Sequence, residues 1–344
     1  MKIKKLPEFD RHHSVVHIKD AATGLNAFIA FHRNSKKVPS FGATRLWKYK
    51  NEKDAVRDAL RLSKLMSYKS ALAGLKYGGA KATIIRNDKF PKSTTLLKYA
   101  SELNKLSGRF ITGADVGLDL NDVKSMNSVS KFIVGIKSNP AKYTALGILI
   151  SIETICEKVF QTKKIKERTF AIQGVGAIGY EFLNIVYKKT GKIYVSDTDK
   201  KRLKLIKKLF PKIVLISPEK IHKQEVDIYM PCALSHSLNK QAIKELRCKI
   251  IVGAANNQLE TRDIADKLYQ KGIFYGPDYV VNAGGLISVV DEYENKNLST
   301  KRIERKVRKI KNTLEKIIAK SDKEKKSPAR IADEMAKKII NKMK

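Results

Sequence analysis

Some residues and segments are scarce in this chain of 344 amino acids, and each scarcity excludes something. Cys156, Cys232 and Cys248 are the only cysteines, and they form neither a CxxC pair nor a metal-site spacing. An odd number cannot close an intrachain disulfide set, so we expect reduced, buried thiols in a cytoplasmic protein and no bound metal. Residues 1–10 lack the apolar core of a signal peptide, and the longest apolar run, near residues 145–152, is far too short to cross a bilayer.

Acidic residues are also scarce, since 34 of them face 70 lysines and arginines and leave a formal charge of +36. This charge raises the possibility of a polyanionic partner such as nucleic acid or an anionic membrane. Only 15 of the 70 basic residues are arginine, the side chain that favours base-edge and bidentate phosphate contacts. A lysine excess along the whole chain is typical of general surface charge. We therefore expect no specific nucleic-acid partner and no membrane partner.

Apolar patterns change character along the chain. Before residue 140, strand-like segments at 14–18, 25–31, 82–85 and 110–112 are mixed with helical patterns at 52–66 and 96–106. Asn139–Pro140 interrupts this part, because a residue before proline avoids helical angles, and Thr144 is expected to cap the next helix. From Thr169 onward, short apolar strands alternate with helices, which predicts a parallel sheet covered on both faces.

A glycine pattern follows the first of these later strands. Gly174, Gly176 and Gly179 form GxGxxG between the apolar strand 169–173 and a helix expected from Ala177. Here the first glycine makes a tight turn, the second lets a pyrophosphate approach the backbone, and the third packs helix against strand. Asp197 ends the next strand, about 20 residues on, where a carboxylate can bind an adenosine ribose and repel a 2′-phosphate.

This arrangement favours NAD over NADP as cofactor, although the three cations at 200–202 oppose that preference. The alternative is a glycine-rich turn with a capping aspartate. We predict an α/β fold with an N-terminal substrate domain over residues 1–140 and a Rossmann-type, doubly wound NAD-binding domain over 141–324. A C-terminal helix over 325–344, opened by Pro328, is expected to pack back on the first domain.

The first domain contains a second group of candidate residues. Lys81 follows Gly78–Gly79 and directly precedes an apolar strand, a placement that suits a lysine in a cleft. Burial and a second nearby cation would lower its pKa toward neutrality. Asp115 directly follows another short strand. In a chain with 55 lysines, the alternative for Lys81 is a solvated surface group, and the alternative for Asp115 is a turn or cap.

Several segments, in one order, resemble the family of glutamate, leucine, phenylalanine and valine dehydrogenases. Ser67–Lys69 with Gly78–Lys81 is similar to its substrate-domain signature, with the same twelve-residue step between two lysines. Residues 110–117 resemble the segment that holds its catalytic aspartate. Residues 227–234, 255–259 and 279–285 resemble the family's cofactor-domain signatures. The resemblance runs from about Leu25 to the last helix and looks most like leucine dehydrogenases.

The resemblance implies a role for each matching position. Lys69 would bind the substrate α-carboxylate, Lys81 would polarise the oxygen on the α-carbon or activate the attacking water, and Asp115 would exchange protons with the amino group. The reaction implied is transfer of the α-hydride to NAD and hydrolysis of the resulting imine to a 2-oxo acid and ammonium. Thr144 and Asn256 match positions near the nicotinamide and its ribose, and Asn282 matches one that helps place the substrate carboxylate. The family also implies a homo-oligomer.

Residues 40–45 resemble the segment that lines the family's side-chain pocket, with Phe41 and Gly42 as candidate substrate contacts. Glutamate enzymes usually carry a lysine where Phe41 stands. A carboxylate buried against a ring without a partner would cost several kcal/mol, so the substrate is expected to be apolar, with leucine and its branched relatives first. Phenylalanine and valine remain alternatives, because a methylene or two discriminates by only about 1–3 kcal/mol.

Two further hypotheses stay open. In a glutamate dehydrogenase, Phe41 would belong to the core and another lysine would supply the charge for the distal carboxylate. In a polyanion-binding protein without catalysis, the charge of +36 would be the functional feature. The combination of Lys69, Lys81 and Asp115 argues against the second, because a pure binder has no need of it.

Overall fold

The computed structural model describes residues 2–33, 37–233, 236–295 and 297–342; Leu234, which ends one of the family-like segments, lies outside this set. The chain forms two compact units. One comprises Met1–Asn139, Ser288–Leu298 and Ala336–Lys344, and the other comprises Pro140–Ile287 and Ser299–Met335. The sequence-based division had left residues 288–298 with the cofactor-binding part. They belong with the first unit because Glu292 accepts hydrogen bonds from the backbone amides of Gly135, Ile136 and Ser138.

The first unit is built around a mixed sheet of six strands. The strands are β1 (Ser14–Asp20), β2 (Leu25–Phe31), β3 (Ser40–Phe41), β4 (Thr44–Trp47), β5 (Gly78–Ile85) and β6 (Phe110–Ile111). Their order is β1-β2-β5-β3-β6, and β4 also pairs with β5. The pairs β1/β2 and β2/β5 are antiparallel, whereas β3 and β4 run parallel to β5.

Helices cover both faces of this sheet. Helix α1 (Glu52–Leu72) packs Ala55, Val56, Ala59 and Leu60 against Phe28 and Ala30 on one face. Helices α2 (Lys92–Asn104) and α3 (Leu120–Asn127) pack on the core of the other face, which contains Ile29, Ala82 and Ile84. Alternate residues of a strand point to opposite faces, so neighbours along β5 enter different environments.

The second unit has a parallel sheet of six strands. They are β7 (Phe170–Gln173), β8 (Ile193–Ser196), β9 (Val214–Leu215), β10 (Glu225–Pro231), β11 (Arg247–Ile251) and β12 (Phe274–Tyr275). Their order is β12-β11-β10-β7-β8-β9. Counted from β7, this is the order 3-2-1-4-5-6 of a dinucleotide-binding sheet, read from the opposite edge. The predicted α/β class with a Rossmann-type second domain is confirmed.

Ten helices complete the described chain. They are α4 (Pro140–Phe160), α5 (Ala177–Val186), α6 (Lys200–Leu209), α7 (Lys240–Glu245), α8 (Asp263–Gln270), α9 (Asp278–Val281), α10 (Gly284–Glu294), α11 (Thr300–Arg308), α12 (Ile310–Glu324) and α13 (Pro328–Lys342). Apolar side chains of α4 and α5 pack on one face of the parallel sheet, and those of α7 and α8 pack on the other. No helix in the described part of the chain is long and apolar enough to span a membrane.

The prediction that Thr144 caps α4 is wrong. The helix begins at Pro140, and the Thr144 hydroxyl donates to the Pro140 carbonyl oxygen from inside the first turns, at 2.7 Å. Proline is favoured at the first helical position, because its fixed φ suits the helix and its missing N–H would have had no intrahelical partner.

Candidate functional site

Strand register brings three charged side chains of the first unit together. In the pairing of β4 with β5, Thr44 lies opposite Ala82 and Arg45 opposite Thr83. Arg45 and Lys81 therefore point to the same face of the sheet, the face covered by α1. On its other side, Thr44 forms a parallel bridge with Ala114, which places Arg45 beside Asp115.

The three side chains form two ion pairs on one carboxylate oxygen. Lys81 Nζ lies 2.5 Å from Asp115 Oδ2, and Arg45 Nε lies 2.9 Å from the same oxygen. The Lys81 side chain is 4% exposed and the Asp115 side chain 12%. Neither residue is the solvated lysine or the turn aspartate that the sequence left as alternatives. The arrangement joins a buried carboxylate to a desolvated lysine.

Burial and neighbouring charges set the protonation of this pair. Burial lowers the pKa of Lys81 below that of an exposed lysine, and Arg45 adds to the effect while Asp115 opposes it. Burial acts to raise the pKa of Asp115, but the Lys81 and Arg45 cations outweigh it and hold that pKa well below its usual range. Asp115 is therefore an ionised acceptor at neutral pH.

A second carboxylate lies behind Arg45. Asp58 Oδ2 accepts from Arg45 Nη1 at 2.9 Å and from the Tyr49 hydroxyl at 2.7 Å, and Asp58 Oδ1 accepts from Arg61 Nη2 at 2.6 Å. Sequence reasoning missed both Arg45 and Asp58 as site residues. One signal was present: Asp58 lies on the apolar face of α1, three residues after Ala55, where a lone carboxylate requires a buried partner.

Lys69 is buried in the last turn of α1, with 8% of the residue exposed. Two residues before it, Ser67 Oγ accepts a hydrogen bond at 3.1 Å from the amide of Gly79, which in turn lies two residues before Lys81. A Cβ on Gly79 would lie 2.1 Å from the Ser67 backbone nitrogen, so only glycine permits this approach. The glycine thus joins the backbones that carry the two predicted lysines.

Phe41 is 1% exposed and packs among aromatic rings of the same unit. Its ring centroid lies 4.6 Å from that of Tyr77 and 5.3 Å from that of Tyr293. A Cβ on Gly42 would lie 2.0 Å from the Ala80 carbonyl oxygen, so Gly42 allows the close approach of β5. The wall around Phe41 is aromatic, and the Tyr77 hydroxyl donates to Glu294 at 2.8 Å.

The three glycines of GxGxxG occupy different surroundings in the second unit. Gly174 has φ +95°, which other residues rarely adopt, and a Cβ on Gly179 would lie 2.3 Å from the Gly174 carbonyl oxygen. A Cβ on Gly176, the N-cap of α5, would meet no atom within 4 Å. Gly174 and Gly179 are thus required by the backbone conformation and packing of the turn. Gly176 leaves room beside a helix N-terminus, as a pyrophosphate requires.

Asp197 follows β8, beside this turn. Its carboxylate accepts from the amides of Val175 and Asp199 at 2.9 Å each, and Arg202 Nη1 lies 3.2 Å from Oδ2. Burial acts to raise the pKa of Asp197, but those amides and Arg202 outweigh it and lower the pKa. Arg202 Nη1 also lies 3.3 Å from Oδ1, so the present donors use all of the roughly four acceptor positions, and a ribose hydroxyl would have to displace one of them. Of the cations at 200–202, Arg202 is the one that contacts this carboxylate in the described chain.

Thr144, Asn256 and Asn282 also lie in the second unit. The Asn282 amide donates to the Ala254 carbonyl oxygen at 3.1 Å and to Asn256 Oδ1 at 3.2 Å. Its buried Oδ1 has no hydrogen-bond partner within the described chain. The amide thus offers an acceptor, whereas a substrate carboxylate needs a donor. A role of Asn282 toward the carboxylate would require it to release one of its two present acceptors.

The predicted site residues fall into two groups, one per unit. Lys69, Lys81, Asp115, Phe41 and Gly42 belong to the first, and the glycines, Asp197, Thr144, Asn256 and Asn282 belong to the second. In the first group, a hydrogen bond joins Lys81 to Asp115. In the second, hydrogen bonds join Asp197 to the glycine turn and Asn256 to Asn282.

Known proteins resemble this chain over most of its length. Residues 11–131 match the Glu/Leu/Phe/Val dehydrogenase dimerisation domain, and residues 194–343 match the Glutamate/Leucine/Phenylalanine/Valine dehydrogenase model. The chain is 34% identical to leucine dehydrogenase from Bacillus subtilis over 351 residues, spanning 100% of this chain and 95% of the relative. It is 41% identical to L-tryptophan dehydrogenase from Nostoc punctiforme over 272 residues, or 78% of this chain and 76% of the relative.

Solved structures of amino-acid dehydrogenases also superpose on this chain. The crystal structure of the Nostoc punctiforme L-tryptophan dehydrogenase superposes with a TM-score of 0.78 at 35% identity, covering 96% of each chain. A glutamate dehydrogenase from Thermus thermophilus has a TM-score of 0.81 at 17% identity, covering 97% of this chain and 89% of that one, which shows the fold alone. These matches confirm the resemblance seen in the motifs. The chain belongs to the glutamate/leucine/phenylalanine/valine dehydrogenase family of NAD(P)-dependent amino-acid dehydrogenases.

Proposed function

We propose that this protein is an NAD-dependent dehydrogenase that reversibly deaminates an apolar L-amino acid, with leucine and other branched-chain amino acids first, to the 2-oxo acid and ammonium. The observation that supports this most strongly is the buried Lys81–Asp115 pair, 2.5 Å apart. A desolvated lysine with a lowered pKa and an ionised carboxylate are the acid–base groups that deamination needs.

Each side chain has a proposed task. Asp115 accepts a proton from the substrate ammonium, because a neutral amine must form before the α-hydrogen leaves as hydride. Lys81 stabilises negative charge on the oxygen that water adds at the α-carbon and exchanges the proton of that water. Lys69 is a fixed cation for the substrate α-carboxylate, and its burial at the end of α1 strengthens such an ion pair.

Gly174, Gly176 and Gly179 with the N-terminus of α5 would hold the pyrophosphate, and Asp197 would bind the adenosine ribose. Bound NAD supplies the hydride acceptor. The room beside Gly176 supports this assignment, since a Cβ there would meet nothing within 4 Å. Thr144 and Asn256 are proposed to contact the nicotinamide end. Asn282 is proposed to help place the substrate carboxylate, for which its amide would release one of its two present acceptors.

An apolar substrate is favoured by the surroundings of Phe41. Its neighbours Tyr77 and Tyr293 are aromatic, and the pocket segment has no cation at position 41 to pair with a distal carboxylate. Burying an unpaired carboxylate there would cost several kcal/mol, which disfavours glutamate. Leucine, tryptophan and phenylalanine are the amino acids in the names of similar enzymes. Leucine is placed first because residues 279–285 look most like the matching segment of leucine dehydrogenases, and such enzymes match over 98% and 100% of the chain.

Absorbance of NADH with a panel of L-amino acids tests the proposal, and NADP in place of NAD tests the cofactor. Lys81→Ala should abolish turnover yet leave NADH binding nearly unchanged, because Lys81 lies in the first unit and the glycine turn in the second. Lys105→Ala is the control, since that side chain is 70% exposed. Substantial turnover by Lys81→Ala would refute the assigned role. Faster oxidation of glutamate than of leucine would overturn the substrate class.

We propose that the protein forms a homo-oligomer and that it is located in the cytoplasm. The first matched region is named a dimerisation domain, which supports self-association, and light scattering measures the number of subunits. Burial raises the pKa of all three cysteine thiols, to about 11 for Cys156 and about 12 for Cys232 and Cys248, which suits unreactive thiols in a reducing compartment.

A further inference from the structure

The chain of charges behind Lys81 has a function beyond holding the fold. We propose that Arg45, anchored by Asp58, is a positioning residue that fixes the Asp115 carboxylate so that Oδ1 exchanges protons with substrate. This inference rests on the proposed function, because it assigns Asp115 the acid–base role.

The contacts on Asp115 are unequal for its two oxygens. Lys81 Nζ at 2.5 Å and Arg45 Nε at 2.9 Å both donate to Oδ2, and neither ion pair uses Oδ1. Two donors on one oxygen restrict rotation of the carboxylate about its terminal bond. They also make Oδ2 the weaker base, since two cations stabilise its charge. Oδ1 is then the oxygen suited to accept a proton from the substrate.

Arg45 can do this only if it is itself immobile. Its Nη1 donates to Asp58 at 2.9 Å, and Tyr49 and Arg61 also donate to that carboxylate. The side chains of Arg45 and Asp58 are 11% and 9% exposed. Guanidinium groups of this kind bind two carboxylates in a fixed fork, whereas an ammonium is a point charge on a flexible stem.

The charges within the network predict opposite shifts of the Lys81 pKa for two variants. The groups that face Lys81 and Asp115 are Arg45 from β4, Tyr49 from the loop after β4 and Asp58 from α1, and Arg61 of α1 pairs with Asp58 behind them. Arg45 lowers the pKa of both Lys81 and Asp115, so its loss should raise both. Asp58 raises the pKa of Lys81, so loss of its charge should lower it.

The experiment is the pH profile of kcat/KM for the preferred amino acid in wild type, Arg45→Gln, Arg45→Lys and Asp58→Asn. Arg45→Gln should move the alkaline limb, set by Lys81, to higher pH, and Asp58→Asn should move the same limb to lower pH. Arg45→Lys keeps the charge without the fork, so its limbs should stay near those of wild type. For all three, kcat should fall by about 10- to 100-fold, the range typical of misplaced catalytic groups.

Arg57→Gln is the matched control. Arg57 precedes Asp58 on α1 and pairs with Glu8 at 2.6 Å, but its side chain is 47% exposed. It should keep the wild-type kcat and profile, and circular dichroism with NADH titration checks that every variant is folded. If Arg45→Gln does not fold, the isosteric Asp58→Asn and Tyr49→Phe carry the test.

Unmoved limbs with wild-type kcat in folded Arg45→Gln or Asp58→Asn would overturn the proposal. A fall in kcat with unmoved limbs in both would also overturn it, since that result reports a structural role. A wild-type protein that oxidises no amino acid would instead refute the proposed function. The two failures are therefore distinguishable.

Discussion

Lowering the pH from about 7.5 to about 5.5 should destabilise the first unit through two buried histidines. His12 and His32 are 5% and 1% exposed, and their ring centroids lie 4.8 Å apart. His12 Nε2 lies 2.9 Å from the Leu60 carbonyl oxygen, while no described residue hydrogen-bonds either ring nitrogen of His32. Burial lowers the pKa of His12 from 6.5 to about 4 and that of His32 from 6.5 to about 3.

These pKa values decide in which direction stability changes with pH. Both folded-state pKa values lie below the unfolded value, so the stabilisation is complete above about pH 6.5 and is lost as the pH falls toward about 4. At about pH 5.5 an unfolded histidine gains about 1.4 kcal/mol from protonation, and its buried counterpart gains almost nothing. Two such residues should together lower the free energy of unfolding by about 3 kcal/mol. In the first unit, neighbouring cations lower the pKa of Asp10, Asp58 and Asp115, so these carboxylates stay ionised in this window.

Urea denaturation at both pH values, at one protein concentration, measures the loss. Trp47 is the only tryptophan and lies on β4, so its fluorescence reports the first unit. His32→Leu should halve the loss, because it removes one of the two titrating groups without breaking a hydrogen bond. The exposed His13, changed to Gln, is the control. An unfolding free energy in His32→Leu that falls as much as in wild type would show that this histidine is not the cause.

Asp197→Ala should weaken the preference for NAD over NADP, because it removes the carboxylate that would repel a 2′-phosphate and leaves Arg202 in place. An unchanged ratio of kcat/KM for the two cofactors would mean that Asp197 does not select the ribose. Gly79→Ala should unfold the first unit or abolish turnover, since its Cβ would lie 2.1 Å from the Ser67 nitrogen. Gly176→Ala should keep the wild-type Tm and lose affinity for NADH. Thermal denaturation and NADH titration distinguish the two variants. Equal Tm values for Gly79→Ala and wild type would contradict the steric argument.

Local patterns predicted the elements that carry the chemistry. The glycine turn, the following helix at Ala177 and the acid at position 197 lie within a short stretch, so their spacing alone indicates a dinucleotide-binding turn. Strand β2 was predicted at Leu25–Phe31, as observed, because seven largely apolar residues give a clear signal. Strands β3, β6 and β9 contain two residues each; β6 was foreseen as a short strand, whereas β3 and β9 carry too few apolar positions to be recognised.

The family resemblance implied that Lys81 and Asp115 act on one substrate, but it did not imply the other partners of Asp115. Arg45 lies 70 residues from Asp115 and 13 from Asp58. Their contacts depend on β4 pairing with β5 and with the segment that contains Ala114, and a slip of one residue would turn Arg45 to the opposite face. Strand β4 has four residues, and its register is decided by these long-range pairings.

The sequence by itself determined the class of the fold and the glycine turn, because these depend on residue types at short spacings. The family resemblance of its motifs identified the candidate acid–base residues. Only the tertiary structure decided which charges are buried together, which oxygen of Asp115 the cations occupy, and that Ser288–Leu298 belongs with the first unit. Those outcomes depend on burial and register, which many distant residues set jointly, and burial is what changes the pKa of a lysine or a carboxylate.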